Sequence, residues 1–155
     1  MKYHLYTEID IDAPPAIVWK VLTDVDSYAD WNPFIVSSHS DGELVVGGQL
    51  TNCLQPPGGK AMTFRPTVTE LEPDRLFEWF GRMGLRRVFD GRHRFELEPL
   101  ADGGTHLVQQ EWLAGALVRP MRRSLDKKTL RGFELMNSAL KTQAEAAMNS
   151  GAAQR

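Results

Sequence analysis

The strongest limit on the fold lies in the last part of the chain. Between 118 and 147, Met121, Leu125, Thr129, Gly132, Phe133, Met136, Ala139, Leu140 and Ala147 recur with a helical period, and Arg123, Lys127, Arg131, Glu134, Lys141 and Glu145 fall opposite. This pattern predicts one amphipathic helix of about 30 residues. Its apolar stripe must be covered by another element. The text from 34 to 114 reads as strand throughout, so the only large partner available is a sheet.

Turn signals divide that text: Asp41-Gly42, Gly47-Gly48, Pro56-Pro57-Gly58-Gly59, Pro73-Asp74, Gly84 and Asp102-Gly103-Gly104. They predict strands over 34–40, 44–54, 60–71, 75–82, 86–98 and 104–113. Residues 3–11 alternate as a further strand, which makes seven. Short turns between consecutive strands imply an antiparallel meander with one face packed. Pro14 and Pro15 stop the first strand and suit a helix start, so 15–22 reads as a short helix burying Val18, Val21 and Leu22. Asp26 or Ser27 is a candidate cap for a second short helix that Pro33 ends. The fold class is α+β: a curved seven-stranded antiparallel sheet around a long C-terminal helix, with two short helices between strands one and two. One helix is about 10 Å wide and cannot fill so broad a sheet. The gap is expected to hold large side chains or a ligand.

The rest of the composition narrows the class by exclusion. The chain of 155 residues is the size of one domain, expected over 1–148 with a disordered tail at 149–155. A net charge of -2 gives no global bias toward nucleic acid. The one cysteine, Cys53, can form no internal disulfide, and a reducing, cytoplasmic setting is expected. No apolar run is long enough for a transmembrane segment, and "MKYHLYTEID" lacks the apolar stretch of a signal peptide. There is no phosphate-binding glycine loop, no Gly-x-Ser-x-Gly elbow and no metal-ligand spacing among His4, His39, His93 and His106. No cofactor and no metal are expected.

Four stretches, "IDAPPAIVWKVLTDVDSYADWNPF" (11–34), "FRPTVTELEPDRLFEWFG" (64–81), "GRHRFELEPLADGGTHL" (91–107) and "GFELMNSALKTQAE" (132–145), resemble the START-like, or SRPBCC, helix-grip superfamily in its polyketide cyclase/dehydrase-like branch. The resemblance spans nearly the whole chain. It implies the helix-grip fold and a deep apolar cavity between sheet and helix, with the short helices and loops at its mouth. It fixes no reaction, because members bind lipids, sterols, polyketides or plant metabolites and a minority are enzymes.

Candidate site residues follow from alternation and from that likeness. Trp31 and Phe34 flank Asn32-Pro33 and form either a cavity wall or a hydrophobic plug. Met62, Phe64, Trp79, His93 and Phe95 lie on long strands. Phe77, Trp79 and Gly81 share one face, as do Phe89, Gly91, His93, Phe95 and Leu97. The inward direction of those faces is part of what the resemblance implies. His93 interrupts an apolar face, so it either orients a ligand or moves a proton, or is a satisfied core histidine. On the last strand, Gln109 and Glu111 face inward in one register and solvent in the other, and both faces are too mixed to decide. Buried, Glu111 would need a partner or a raised pKa. Met121, Phe133 and Met136 extend the helix stripe as an adaptable wall or as core. Asn137 sits at the stripe's edge, within reach of the cavity or a backbone carbonyl. Gly132 implies either close approach of helix to sheet or room for a ligand. Arginines crowd one hairpin (82, 86, 87, 92, 94), and Arg119, Arg122, Arg123, Lys127 and Lys128 crowd the start of the helix. A solvated surface is the expected reading, with an anionic headgroup or membrane as the other.

Three functions fit. The first is binding of a small, largely apolar molecule, lipid-like, aromatic or polyketide-like. The second is a cyclase, aromatase or dehydratase using His93, with Glu111, as acid and base. The third is an interaction module whose cavity is filled, although nothing indicates a protein partner.

Overall fold

The computed structural model describes residues 3–153. Strand β1 (Tyr3–Ile11) leads through Pro14 into α1 (Pro15–Thr23), which buries Val18 and Leu22. A single 3₁₀ turn, Val25–Ser27, precedes α2 (Tyr28–Trp31). Neither candidate cap acts on it: Ser27 stands at the N-cap, but its hydroxyl donates to Asp24 at 2.7 Å. Then follow β2 (Ile35–Ser40), β3 (Leu50–Leu54), β4 (Met62–Phe64), β5 (Thr67–Glu72), β6 (Leu76–Met83), β7 (Phe89–Pro99) and β8 (Thr105–Ala114). A helical segment closes the chain as α3 (Val118–Ser124), one π-type stretch (Leu125–Thr129) and α4 (Leu130–Ala153).

Among the described residues there are eight strands in two sheets, not seven in one. β1-β8-β7-β6-β5 form a five-stranded antiparallel sheet, and β2-β3-β4 form a three-stranded one. Pro66 causes the split. It has no N–H to continue a ladder, and the expected strand 60–71 breaks there into β4 and β5. The expected strand 44–54 starts only at Leu50, because Gly47 takes a left-handed turn with φ 87°. The sheets stay joined beside that turn, where Gly47 and Val68 donate backbone bonds to the Val68 and Gly48 carbonyls at 2.8 and 2.9 Å.

The inner faces follow the expected alternation. Phe77, Trp79 and Gly81 on β6, and Gly91, His93, Phe95 and Leu97 on β7, are all buried. β8 takes the register that turns Thr105, Leu107, Gln109 and Leu113 inward, with Glu111 in line. The outer face carries its own buried group. Glu78 is fully enclosed under Arg92 (2.5 Å), Arg94 (2.6 Å) and Thr69 (2.8 Å). Burial pushes its pKa up, but these donors outweigh burial and hold it below the usual range.

The C-terminal helix packs on the sheet through Phe133, Met136, Leu140 and Ala144. Ala147, expected on that stripe, is exposed, and Ala144 is buried in its place. The helix also continues to Ala153, past the expected end at 147 and into the tail expected to be disordered; residues 154–155 of that tail lie outside the described residues. The π-type stretch has a sequence cause. Met121, Leu125, Thr129 and Phe133 follow one another at intervals of four, and at 3.6 residues per turn three such steps drift by about 120°. A locally wider turn, in which Leu130 N–H reaches back to Leu125 O, absorbs the drift and keeps the stripe on one side.

Gly132 marks the close approach, and what approaches is Phe34. A Cβ on residue 132 would lie 2.3 Å from the Phe34 ring, which also meets Phe133 edge-on at 5.5 Å. Gly132→Ala would gain about 1 kcal/mol in helix propensity but lose about 1–3 kcal/mol to overpacking. We expect a net loss, read as a Tm lower by a few degrees in thermal melts followed by circular dichroism. A raised Tm would mean that Phe34 yields freely.

Candidate functional site: a cavity between sheet and helix

A cavity of about 270 Å³ lies between the inner faces of β6–β8, the small sheet and the α3–α4 helix. Phe34 reaches it because of Asn32. The Asn32 side-chain oxygen accepts from the Phe34 and Ile35 amides at 3.0 and 2.9 Å, and this bend turns Phe34 inward. The same bend leaves Trp31 outside. Trp31 packs edge-on against Tyr28 at 5.2 Å and borders a separate hollow between α1 and α4.

Of the other expected residues, Met62, Phe64, Trp79, His93, Glu111, Met121 and Phe133 line the cavity. Phe95, Gln109 and Met136 stand behind it. Phe95 packs under Trp79 and His93 at 5.4 and 4.8 Å. The Met136 sulfur meets the Gln109 amide at 3.6 Å. Asn137 donates to the Thr7 hydroxyl at 2.9 Å, away from the cavity. Lys60, Arg82 and Lys128 also line the cavity, and sequence reasoning did not place them there. Lys60 carries no sequence signal at all. Arg82 and Lys128 were legible only as members of a basic cluster.

The floor is an aromatic stack with one polar opening. His93 is 4% exposed, lies nearly parallel to Trp79 (4.8 Å, 15°) and meets Phe133 edge-on at 4.9 Å. Gln109 turns its amide nitrogen toward His93 Nε2 at 3.0 Å. Nε2 is therefore the acceptor, and Nδ1 carries the hydrogen. Nδ1 faces Glu111 Oε1 at 4.0 Å, too far for a direct hydrogen bond. Gly91 makes space for this carboxyl, because a Cβ there would lie 2.8 Å from Oε1. Burial pulls the His93 pKa down to about 3 and pushes that of Glu111 up to about 8. Near neutrality the floor is an uncharged imidazole beside a mostly protonated carboxyl, both able to donate.

The family described as polyketide cyclase / dehydrase and lipid transport matches residues 2–145. The chain belongs to this family. Among solved structures, the Zhui aromatase/cyclase from Streptomyces sp. R1128 superposes with a TM-score of 0.78 at 20% identity, over 94% of each chain. A protein from Thermus thermophilus gives 0.77 at 16% identity, over 94% of this chain and 99% of its own. A START superfamily protein from Mycobacterium smegmatis gives 0.73 at 19% identity, over 93% and 98%. At such identities the likeness carries the fold, and the helix-grip architecture of this family member stands on it. No curated protein matches the chain in sequence. Among the described residues of this family member, no group of three His, Cys, Asp or Glu side chains is placed to hold a metal. No helix there is long and apolar enough to cross a membrane.

The two shifted pKa values predict opposite pH effects. His93 binds its proton in the unfolded chain below about 6.5 but in the folded chain only below about 3, so stability falls on acidification between those values. Glu111 keeps its proton in the folded chain up to about 8 and loses it in the unfolded chain near 4.5, so stability falls as pH rises from 4.5 to 8. Glutamine mimics the protonated form. Urea titrations should therefore show Glu111→Gln gaining on the parent steadily from pH 5 to 8, then levelling. A pH-independent difference would mean that Glu111 titrates normally.

Proposed function

We propose that the protein binds one small, largely apolar molecule in this cavity, held by its carbonyl or phenolic oxygen between Glu111 and His93. The observation that carries this reading is the floor. Two hydrogen-bond donors, uncharged near neutral pH, face one gap in walls that are otherwise mainly aromatic, aliphatic and methionine. An acceptor oxygen in the 4.0 Å opening satisfies both. Size supports an aromatic ligand over a long acyl chain. The volume of about 270 Å³ exceeds the roughly 150 Å³ known to hold benzene and falls just below the usual range of ligand pockets, about 300–1,000 Å³.

A second reading rests on the same pair. In its ionised fraction the Glu111 carboxylate can take the α-proton of a β-ketone chain while the His93 Nδ1–H stabilises the enolate oxygen. The carboxyl so formed can return that proton to the alkoxide of an aldol ring closure or to the hydroxyl lost in dehydration. The raised pKa of Glu111 favours it, because an acid titrating near the working pH transfers protons best.

Native mass spectrometry of the purified protein, repeated after denaturation, should release a small apolar or aromatic molecule. Titration with 1-naphthol, followed by its fluorescence, supplies a defined probe. Met121→Trp fills part of the cavity and should weaken naphthol binding by at least about tenfold. Unchanged binding would place the probe elsewhere and sink the reading. With a linear poly-β-keto thioester as substrate, His93→Ala should abolish turnover if its Nδ1–H holds the enolate oxygen, and leave a binding protein merely weaker.

A further inference from the structure

The charge of the chain is unevenly placed. Its net charge is -2, yet two segments are almost purely basic. The β6–β7 hairpin supplies Arg82, Arg86 and Arg87 with no acid between 82 and 88. The stretch 116–128 supplies Arg119, Arg122, Arg123, Lys127 and Lys128 against Asp126 alone. Together they hold eight of the 18 basic residues and one of the 20 acidic ones.

The fold brings these segments together at one end of the molecule, where Arg122 lies over the Tyr3 ring at 5.3 Å and Lys128 donates to the Gly58 carbonyl at 2.9 Å. Ala116 and Leu117 donate backbone bonds to Arg87 and Val88 carbonyls at 3.0 Å each, which clamps the entry of α3 to the hairpin tip. Gly115 allows the clamp: its φ is 128°, and a Cβ there would lie 2.4 Å from the Val88 carbonyl oxygen. Arg82 pairs with Asp90 at 3.0 Å. Among the described residues no carboxylate pairs with Arg86, Arg87, Arg119, Arg122, Arg123 or Lys127. Two leucines project from the same tip, Leu85 at 80% and Leu117 at 44% exposure. Met83 and Phe89 of the hairpin, and Met121 and Lys128 of the helical segment, line the cavity. The surface therefore borders its mouth.

We infer that this tip docks on an anionic lipid surface, with Leu85 and Leu117 entering the interface and the arginines meeting phosphate headgroups. The combination decides the partner. Nucleic acid would be met by the charges alone and would leave Leu85 in water, and an acidic protein would need an apolar socket for Leu85 besides its carboxylates. A lipid interface takes both the basic charge and the apolar tip. Docking there would bring the cavity mouth to the phase in which apolar molecules dissolve. Vesicle binding is nevertheless independent of what fills the cavity, so the docking surface and the ligand reading fail separately.

The test is co-sedimentation of the full chain with vesicles of phosphatidylcholine, alone or mixed equally with phosphatidylglycerol. Binding is expected only to the mixed vesicles. Raising salt from about 0.1 M to about 1 M shortens the screening length from about 10 Å to about 3 Å and should release most of it. Arg86→Ala with Arg87→Ala should weaken binding by about twenty- to thirtyfold, at about fivefold per charge. Leu85→Asp should weaken it by at least about tenfold. Arg75→Ala, at the opposite end of β6, should change nothing. These side chains are exposed, so unchanged thermal melts would show that the variants fold. No binding to mixed vesicles, or equal loss in Arg75→Ala, overturns the inference. Binding to polyglutamate without binding to vesicles would overturn it in favour of an acidic protein.

Discussion

The meeting of Phe34 with Gly132 is the contact around which the cavity is arranged. It brings the helix against the chain that leaves α2, at a helical position with no side chain to prevent it. Below that point Met136, Leu140 and Ala144 close on the sheet and leave no room. Above it the helix changes to a wider turn, the strands end in hairpins, and the space between them stays open. A sheet broader than its helix must leave space somewhere, and this contact sets where the packed half ends.

The polar floor is a balance of costs inside that space. His93 is tolerated in an aromatic stack because Gln109 satisfies one ring nitrogen and burial keeps the ring neutral. Glu111 is tolerated because Gly91 leaves space and because it keeps its proton. The Gln109 side-chain oxygen is buried with no partner among the described residues, a cost of about 1–3 kcal/mol that an all-apolar floor would avoid. Groups held at such cost are where chemistry or recognition is to be sought.

Much of this was legible in the sequence, for definite reasons. The helix stripe and the turn spacing gave the layers, and the interruption of an apolar face by His93 singled out the floor. Glu111 could not be placed because β8 hides its logic. Trp112 looks like an inward residue but lies outside, stacked on His4 at 5.0 Å with Arg94 over its ring at 5.6 Å. Trp31 was left between cavity wall and plug because the pattern does not show the bend in which the Asn32 oxygen accepts from the Phe34 and Ile35 amides and turns Phe34 away from it. The break at Pro66 was readable, since proline has no place in a central strand. Lys60 was not, because its place at the cavity depends on loops that meet only in three dimensions.

The wide turn at Leu125–Thr129 has a consequence for how such a protein can change. A turn of this kind is what one extra residue produces when a helix absorbs it instead of breaking. The cavity-facing part of the helical segment thereby keeps its own register relative to the part that grips the sheet. Residues can be gained, lost or rotated on the open side while the gripping side keeps its register. A lineage can alter what the chamber accepts without renegotiating the core that holds it together.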